Sequence, residues 1–269
     1  MSNKVLKPKK ASLYQFTQKY SNNIDNCIEF FKSMKWPEGF SCDRCGCHKY
    51  YLVKRVGKTK TSYVLECSSC HKQHSLLSGT IFQSCKLDLY KLLLGIFLFF
   101  NKNKGISAVE LCSILDVNYK TALLLESKCR ILMSLSNSDK LLNSLFYEAD
   151  VFNIGAKFKN KAGRASEQQP VLGILSTDKE NNYPRFIKLR LINDYTGLSL
   201  KKNIEQCCVL SHAALLNTDG EKGFNTLGTE IQVKNEKISY EEKNHRLLWL
   251  NIIIGNIKNN ITGIYHGIT

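Results

Sequence analysis

The sequence predicts a multidomain α+β protein, in which a cysteine-rich β module and several helices precede a mixed α/β domain. Three observations lead to this class. Two C-x2-C pairs flank a β-rich stretch, apolar residues recur at helical spacing over residues 86–133, and residues 141–269 mix strand patterns with helical ones. A chain of 269 residues is long enough for two or three domains with buried cores.

Positive charge is concentrated at the front of the chain. The formal net charge is +15, and residues 1–104 hold 18 basic and 6 acidic side chains. Such a balance points to a polyanionic partner, either a nucleic acid or an acidic membrane surface. The longest apolar run, nine residues from Leu92 to Phe100, is far shorter than the roughly 18–20 residues of a membrane span, which excludes a transmembrane protein.

The first predicted segment, residues 1–40, is helical. Apolar spacing predicts short helices over 13–20 and 24–35, and Pro37 and Gly39 end the second one. The opening residues lack the apolar stretch of a secretory signal, so we expect a cytoplasmic, nucleoid-associated protein whose eleven cysteines are ligands or buried thiols.

The second segment, residues 41–85, is predicted to bind zinc. Two C-x2-C pairs are separated by 21 residues that read as a β-hairpin, and this spacing brings four thiolates to one tetrahedral ion. The four ligands, called the zinc cluster below, are Cys42, Cys45, Cys67 and Cys70. Four thiolates leave no open coordination position, so the zinc is expected to be structural; four unrelated cysteines are the alternative. The neighbours Cys47, His48, His71 and His74 are assigned to ordinary surface chemistry, with substitution for one of the four ligands as the alternative.

The third segment, residues 86–140, contains a helix-turn-helix candidate. A helix over 86–100 is followed by a second one that Ser107 caps and by a third over 119–133, with a turn at 116–118 between the last two. The third helix begins with polar residues suited to the DNA major groove, namely Asn118, Tyr119, Lys120 and Thr121. An ordinary helical hairpin fits this pattern as well.

The positive charge of the front of the chain favours a DNA-binding helix-turn-helix over an ordinary helical hairpin. Phosphate contacts supply affinity without reading bases, and exposed lysines and arginines on a hairpin suit them. The predicted contacts on the hairpin are Lys54, Arg55, Lys58 and Lys60.

The fourth segment, residues 141–269, is predicted as a mixed α/β domain. Strand patterns at 146–152, 171–176 and 186–192 precede a helix over 198–208. Shorter strands at 213–216 and 230–233 and a helix over 247–261 follow.

Two aspartates of this segment are candidates for divalent-metal chemistry, which needs carboxylates from separate elements. Asp150 lies in the first strand, with Glu148 on the same face, and Asp219 follows a strand end in the string NTDG. By themselves such residues are more often a solvated face and a turn.

Four stretches carry a resemblance to a known family: WPEGFSCDRCG (36–46), CSSCHKQHSLLSGTIFQSCKLDL (67–89), KGISAVELCSILDVNYKTA (104–122) and IKNNITGIYHGIT (257–269). The chain resembles insertion-sequence transposases of the family numbered fifteen-ninety-five, whose catalytic part is called the ISXO-like domain. The resemblance implies a zinc-ribbon and helix-turn-helix front that binds the element's ends. It also implies an RNase H-like, DDE-type nuclease that cuts and rejoins double-stranded DNA with Mg²⁺ or Mn²⁺, acting as a homo-oligomer on that DNA.

The resemblance also implies site residues. Its first and second aspartates match Asp150 and Asp219, and its phosphate-holding lysine matches Lys258. Seven residues before that lysine stands Asn251, where many relatives carry glutamate; an amide oxygen there offers a neutral metal ligand. Val151 replaces a common acid, and the chain stops at Thr269 before a further helix of the family, so a truncated domain is one interpretation.

The sequence therefore predicts a transposase with metal-dependent cleavage and strand transfer. The alternative is a decayed or repurposed copy that binds DNA through its zinc module and helix-turn-helix without cutting. A third interpretation is a zinc-ribbon protein that docks on another protein, but this leaves residues 141–269 unexplained.

Overall fold

The computed structural model describes residues 11–57, 61–102, 105–138, 141–155, 168–178, 183–220, 222–228, 231–235 and 247–265. The chain forms two compact units, Met1–Met133 and Ser134–Thr269. Among the described residues, no helix is both long and apolar enough to cross a membrane.

The first unit begins with two helices at the predicted positions, α1 (Leu13–Tyr20) and α2 (Ile24–Lys35). Ser12 caps α1, since its hydroxyl accepts the Gln15 N–H at 3.1 Å while the Gln15 side chain accepts the Ser12 N–H. Asn23 caps α2 in the same way. Local side-chain capping therefore defines where both helices start.

A three-stranded antiparallel sheet follows, in the order β1 (Tyr50–Val56), β2 (Thr61–Cys67) and β3 (Gln73–Ser75). The pairing of β1 with β2 confirms the predicted hairpin. β3 was not predicted, because three residues are too few to establish an alternating pattern.

Three further helices complete the unit: α3 (Leu89–Asn101), α4 (Ala108–Leu115) and α5 (Tyr119–Ser138). Ser107 caps α4 as predicted, with its hydroxyl accepting the Glu110 N–H at 3.2 Å, whereas the Glu110 carboxylate pairs with Lys102. The helices converge at Gly95 of α3, where a Cβ atom would lie 2.5 Å from a methyl of Leu125.

One hydrophobic cluster runs through the whole first unit. It includes side chains from α1 to α5, from the sheet and from the loop after β3, among them Phe16, Phe31, Phe40, Leu65, Phe82, Leu92, Leu111 and Leu125. The zinc cluster contributes Cys42 and Cys67 to it. The predicted helical, zinc-binding and helix-turn-helix segments are thus packed against a common core.

The second unit contains a five-stranded sheet in the order β6-β5-β4-β7-β8. Its strands are β4 (Phe146–Ile154), β5 (Gln169–Asp178), β6 (Tyr183–Leu191), β7 (Leu215–Thr218) and β8 (Gln232–Asn235). β4, β5 and β6 are antiparallel neighbours, whereas β7 runs parallel to β4 and β8 parallel to β7.

Helices cover both faces of this sheet. α6 (Gly197–Glu205) packs on one face, where Leu200 and Ile204 contact the side of β4 that carries Tyr147 and Ala149. A 3-10 helix, Lys222–Leu227, joins this layer. α7 (Leu248–Tyr265) packs on the other face. Since successive strand residues alternate between faces, Glu148, Asp150 and Phe152 point towards the α7 side.

Candidate functional site

The four cysteines of the zinc cluster meet in the first unit. All four Sγ atoms lie within 4.8 Å of one another, and the Cys42–Cys70 and Cys45–Cys67 Sγ pairs are each 3.5 Å apart. A tetrahedral zinc ion with bonds of about 2.3 Å requires sulfur separations of about 3.8 Å. The donor set therefore fits a structural Zn²⁺, as the spacing predicts.

Two matching turns present these thiols. Gly46 follows the first pair and His71 the second, each with a positive φ, and their N–H groups donate to the carbonyls of Cys42 and Cys67 respectively. Burial raises the pKa of Cys42. The backbone N–H groups of Arg44 and Cys45 outweigh this effect, and together with His74 and Cys70 they lower that pKa to about 6. A thiolate is the form that a metal ligates.

His74 is not the surface residue that we predicted. It lies on β3 opposite Leu65 and is only 7% exposed, with its ring packed edge-on against Trp36 and Phe40. Its ring nitrogens, the Cys42 thiol and the Asp43 carboxylate form a group of ligand-type atoms within 4.8 Å. The prediction was wrong because β3, which the sequence pattern does not reveal, turns this side chain inward.

In the second unit, the strand order brings the two candidate aspartates to neighbouring segments. Glu148 of β4 is paired with Asn217 of the parallel strand β7, the last pair that joins these strands. Asp150 continues β4 two residues beyond Glu148, and Asp219 follows the end of β7 two residues beyond Asn217. Asp150 is 8% exposed and Asp219 is half-buried in the bend after β7.

α7 carries the two other predicted residues over the same face. Asn251 lies in its first turn, half-buried, and the exposed Lys258 holds its Nζ atom 5.6 Å from the centre of the Phe152 ring. Phe152 follows Asp150 by two residues on β4, so both side chains face α7. Lys258 therefore lies on the Asp150 side of the sheet.

Gly173 gives α7 room beside Asp150, and sequence reasoning missed it. It is paired with Asp150 across β4 and β5, and a Cβ atom there would lie 3.3 Å from Leu250 Cδ1 and 3.4 Å from Phe152 Cε1. A glycine inside the apolar run of β5 is a sequence signal of close approach that could have identified it.

Glu148 is buried on the same face and bonded to α7. Its Oε2 accepts the Leu250 N–H at 2.9 Å, and the side chain is 5% exposed. Burial raises the pKa of this carboxyl, and the Leu250 N–H offsets part of the rise. Glu148, Asp150 and Asp219 do not form a group of ligand atoms all within 4.8 Å of one another.

The predicted DNA-reading residues lie at the start of α5. Asn118 caps the helix, since its Oδ1 accepts both the N–H and the hydroxyl of Thr121 at 2.8 Å, while Tyr119 and Lys120 are exposed. A groove of about 380 Å³ adjoins this turn. We call it the lysine groove: its lining includes Lys86, Lys120 and Lys128 and no acidic side chain.

The hairpin separates its basic residues. Lys54 and Arg55 are both exposed, but as consecutive residues of β1 they point to opposite faces of the sheet. Lys58 and Lys60 lie outside the described residues.

Comparison with known families identifies two domains in the chain. Residues 23–73 match the model of a transposase zinc-ribbon domain, and residues 146–269 match that of an ISXO2-like transposase domain. No curated protein matches the chain. The two matched domains define a transposase. The chain belongs to the IS1595 family of transposases.

Proposed function

We propose that the protein cuts DNA at the ends of its insertion sequence and joins those ends to target DNA in a reaction that depends on Mg²⁺ or Mn²⁺. The observation that carries this proposal is that Asp150 lies on β4, while Asp219 directly follows the end of β7, the parallel neighbour of β4. Carboxylates from two neighbouring elements offer the oxygen donors that hard divalent cations prefer.

The strand order supports an RNase H-like class for the second unit. Three antiparallel strands come first, and the fourth strand pairs in parallel with the first, which leaves β4 at the centre of the sheet. This arrangement agrees with the fold that the resemblance implies. The central strand β4, which carries Asp150, therefore has an antiparallel neighbour on one side and a parallel neighbour on the other.

Each site residue has a separate role in this proposal. Divalent ions held by Asp150 and Asp219 supply activation of the attacking oxygen and stabilisation of the leaving oxygen. Asn251 offers an amide oxygen beside them. The exposed Lys258 ammonium binds a DNA phosphate, held near the sheet by the face of Phe152.

The first unit is proposed to bind the element's ends, with α4 and α5 as a helix-turn-helix and Tyr119 and Lys120 directed to the major groove. Residues 1–104, which supply most of the net charge, are the source of the affinity. The lysine groove adjoins the start of α5, and its three lysines would contact the DNA backbone that flanks the major groove.

Removing the groove lysines is expected to weaken DNA binding and its salt dependence. Each of Lys86→Gln, Lys120→Gln and Lys128→Gln should lower the slope of log K against log salt by about 0.9, and the triple variant by nearly three times as much. Fluorescence anisotropy on a labelled duplex between low and moderate salt measures the slope. Lys202→Gln, an exposed lysine of α6 in the second unit, is the control. Equal slopes for Lys202→Gln and the triple variant would remove the groove from the DNA interface.

A nicking assay tests the catalytic proposal itself. The full chain is incubated with a duplex that carries the sequences bordering its gene, with and without Mg²⁺ or Mn²⁺. We expect strand cleavage at the border only when the metal is present. The second candidate function is that of a DNA-binding regulator. Asn251 favours it, because this residue is an amide at a position where many relatives carry a carboxylate. Specific binding without cleavage at any metal concentration would establish the regulator.

A further inference from the structure

Leu247, the described residue that precedes α7, offers no side-chain cap to the N-terminus of this helix. The first N–H groups of a helix have no partner inside the helix and need an external acceptor. Leu247 precedes the helix, and its side chain has no acceptor atom. Glu148 of β4 supplies one from 102 residues away, accepting the Leu250 N–H at 2.9 Å.

The hydrogen bond between Glu148 and the Leu250 N–H is buried. Glu148 is 5% exposed and Leu250 is fully buried, so water does not compete for either group. The Glu148 side-chain oxygen accepts an N–H of the first helical turn that has no partner inside the helix, as the side chain of an N-cap residue does. The Glu148–Leu250 bond therefore fixes one end of α7 against the central strand.

The apolar packing of α7 does not by itself define the position of the helix along the strand. Leu250 and Ile254 pack on Phe152, Val171 and Leu175, and apolar packing of this kind is not directional. Gly173 removes a side chain that would otherwise limit sliding of the helix beside Asp150. The Glu148–Leu250 hydrogen bond is directional, so it defines the position of α7 along β4.

We propose that Glu148 is a positioning residue of the transposase site, which sets α7 along β4 so that Asn251 and Lys258 stand over Asp150. The proposal rests on the proposed function. It assigns Glu148 no place among the metal ligands, in agreement with its absence from any close group with Asp150 and Asp219.

Two variants distinguish the effect of the length of the Glu148 side chain from the effect of its charge. Glu148→Gln keeps the length of the side chain and an acceptor oxygen but loses the charge. Glu148→Asp keeps the charge, but the carboxylate is one methylene too short for the Leu250 N–H. A positioning role predicts that the glutamine variant resembles wild type more closely than the aspartate variant, whereas a metal-ligand role predicts the opposite order.

The first readout is hydrogen exchange, which does not depend on activity. Amides in peptides covering residues 247–254 should exchange at least about tenfold faster in Glu148→Asp than in wild type, and within about threefold of wild type in Glu148→Gln. Glu126→Gln, a buried carboxylate of α5, is the matched control and should leave these peptides unchanged. Equal exchange in wild type and Glu148→Asp would overturn the proposal.

The second readout is nicking at saturating DNA. Displacement of Asn251 and Lys258 by about 1 Å should lower kcat by roughly 100-fold in Glu148→Asp, with DNA affinity unchanged and a smaller loss in Glu148→Gln. A glutamine variant that is less active than the aspartate variant would overturn the proposal. If wild type does not nick, the proposed function fails, and the exchange experiment still decides whether Glu148 positions α7.

Discussion

Replacing Asp150 or Asp219 by asparagine is expected to abolish metal-dependent nicking while leaving binding of the element's ends intact. Asp150 lies on β4 and Asp219 directly follows β7, its parallel neighbour, so in the proposed site each carboxylate contributes a charge to the same donor set. An amide oxygen contributes only a dipole to a hard cation. Loss of either carboxylate removes most of the attraction for Mg²⁺, and we expect a fall in rate of at least about 1,000-fold.

The assay compares each variant with wild type on the same duplex, with DNA affinity measured in parallel. Asp194→Asn is the matched control: this aspartate lies in the loop before α6, where its Oδ1 accepts the Thr196 N–H at 2.8 Å, an interaction that an asparagine oxygen retains. It should nick at the wild-type rate. If Asp150→Asn or Asp219→Asn cuts as fast as wild type, the site assignment is wrong.

Asn251 is expected to matter less than either aspartate. Asn251→Ala should lower the nicking rate by about 10- to 100-fold, because a neutral ligand is lost rather than a charge. Asn251→Glu should retain or raise the rate by adding a third carboxylate. The same time courses give both values, and an Asn251→Ala variant as inactive as Asp150→Asn would contradict this ranking.

Loss of the structural zinc is expected to unfold the front of the protein. Cys67→Ser removes one of four ligands, and structural zinc sites of this kind contribute on the order of 10 kcal/mol of apparent binding free energy, comparable to the whole stability of a domain. Cys42 and Cys67 belong to the core shared by α1 to α5. Unfolding should therefore spread beyond residues 36–75 and abolish DNA binding.

Metal analysis and limited proteolysis check this prediction. Wild type should contain one zinc per chain and resist cleavage, whereas Cys67→Ser should contain little zinc and be cut within the first unit. Cys112→Ser is the control, because this half-buried thiol donates to the Val117 carbonyl, as a serine hydroxyl would. Purified wild type without stoichiometric zinc, or identical behaviour of the two variants, would contradict the structural role.

The sequence by itself determined the local structure of the front. The spacing within each C-x2-C pair, the cap at Ser107 and the helical period of α1 and α2 all depend on residues a few positions apart. Physical constraints at that range act through the covalent chain, so a pattern of residue types is enough to express them. Both helices accordingly have the bounds that the pattern predicts.

Sequence patterns also located the strands of the second unit, and the resemblance nominated Asp150 and Asp219. They did not give the strand order that places β7 beside β4, because alternation of apolar residues identifies a strand and a face without identifying its neighbour. Only the tertiary structure showed that the strand preceding Asp219 is the parallel neighbour of the strand that carries Asp150.

The remaining site features depend on contacts between distant segments. His74 is turned inward by a three-residue strand, Gly173 makes room for a helix that lies far along the chain, and Glu148 caps that helix from 102 residues away. An acid in a strand and a glycine in an apolar run are visible in the sequence, but their partners are not. Packing decides those partners, since a buried acceptor and an uncapped helix must each satisfy a hydrogen bond within the fold.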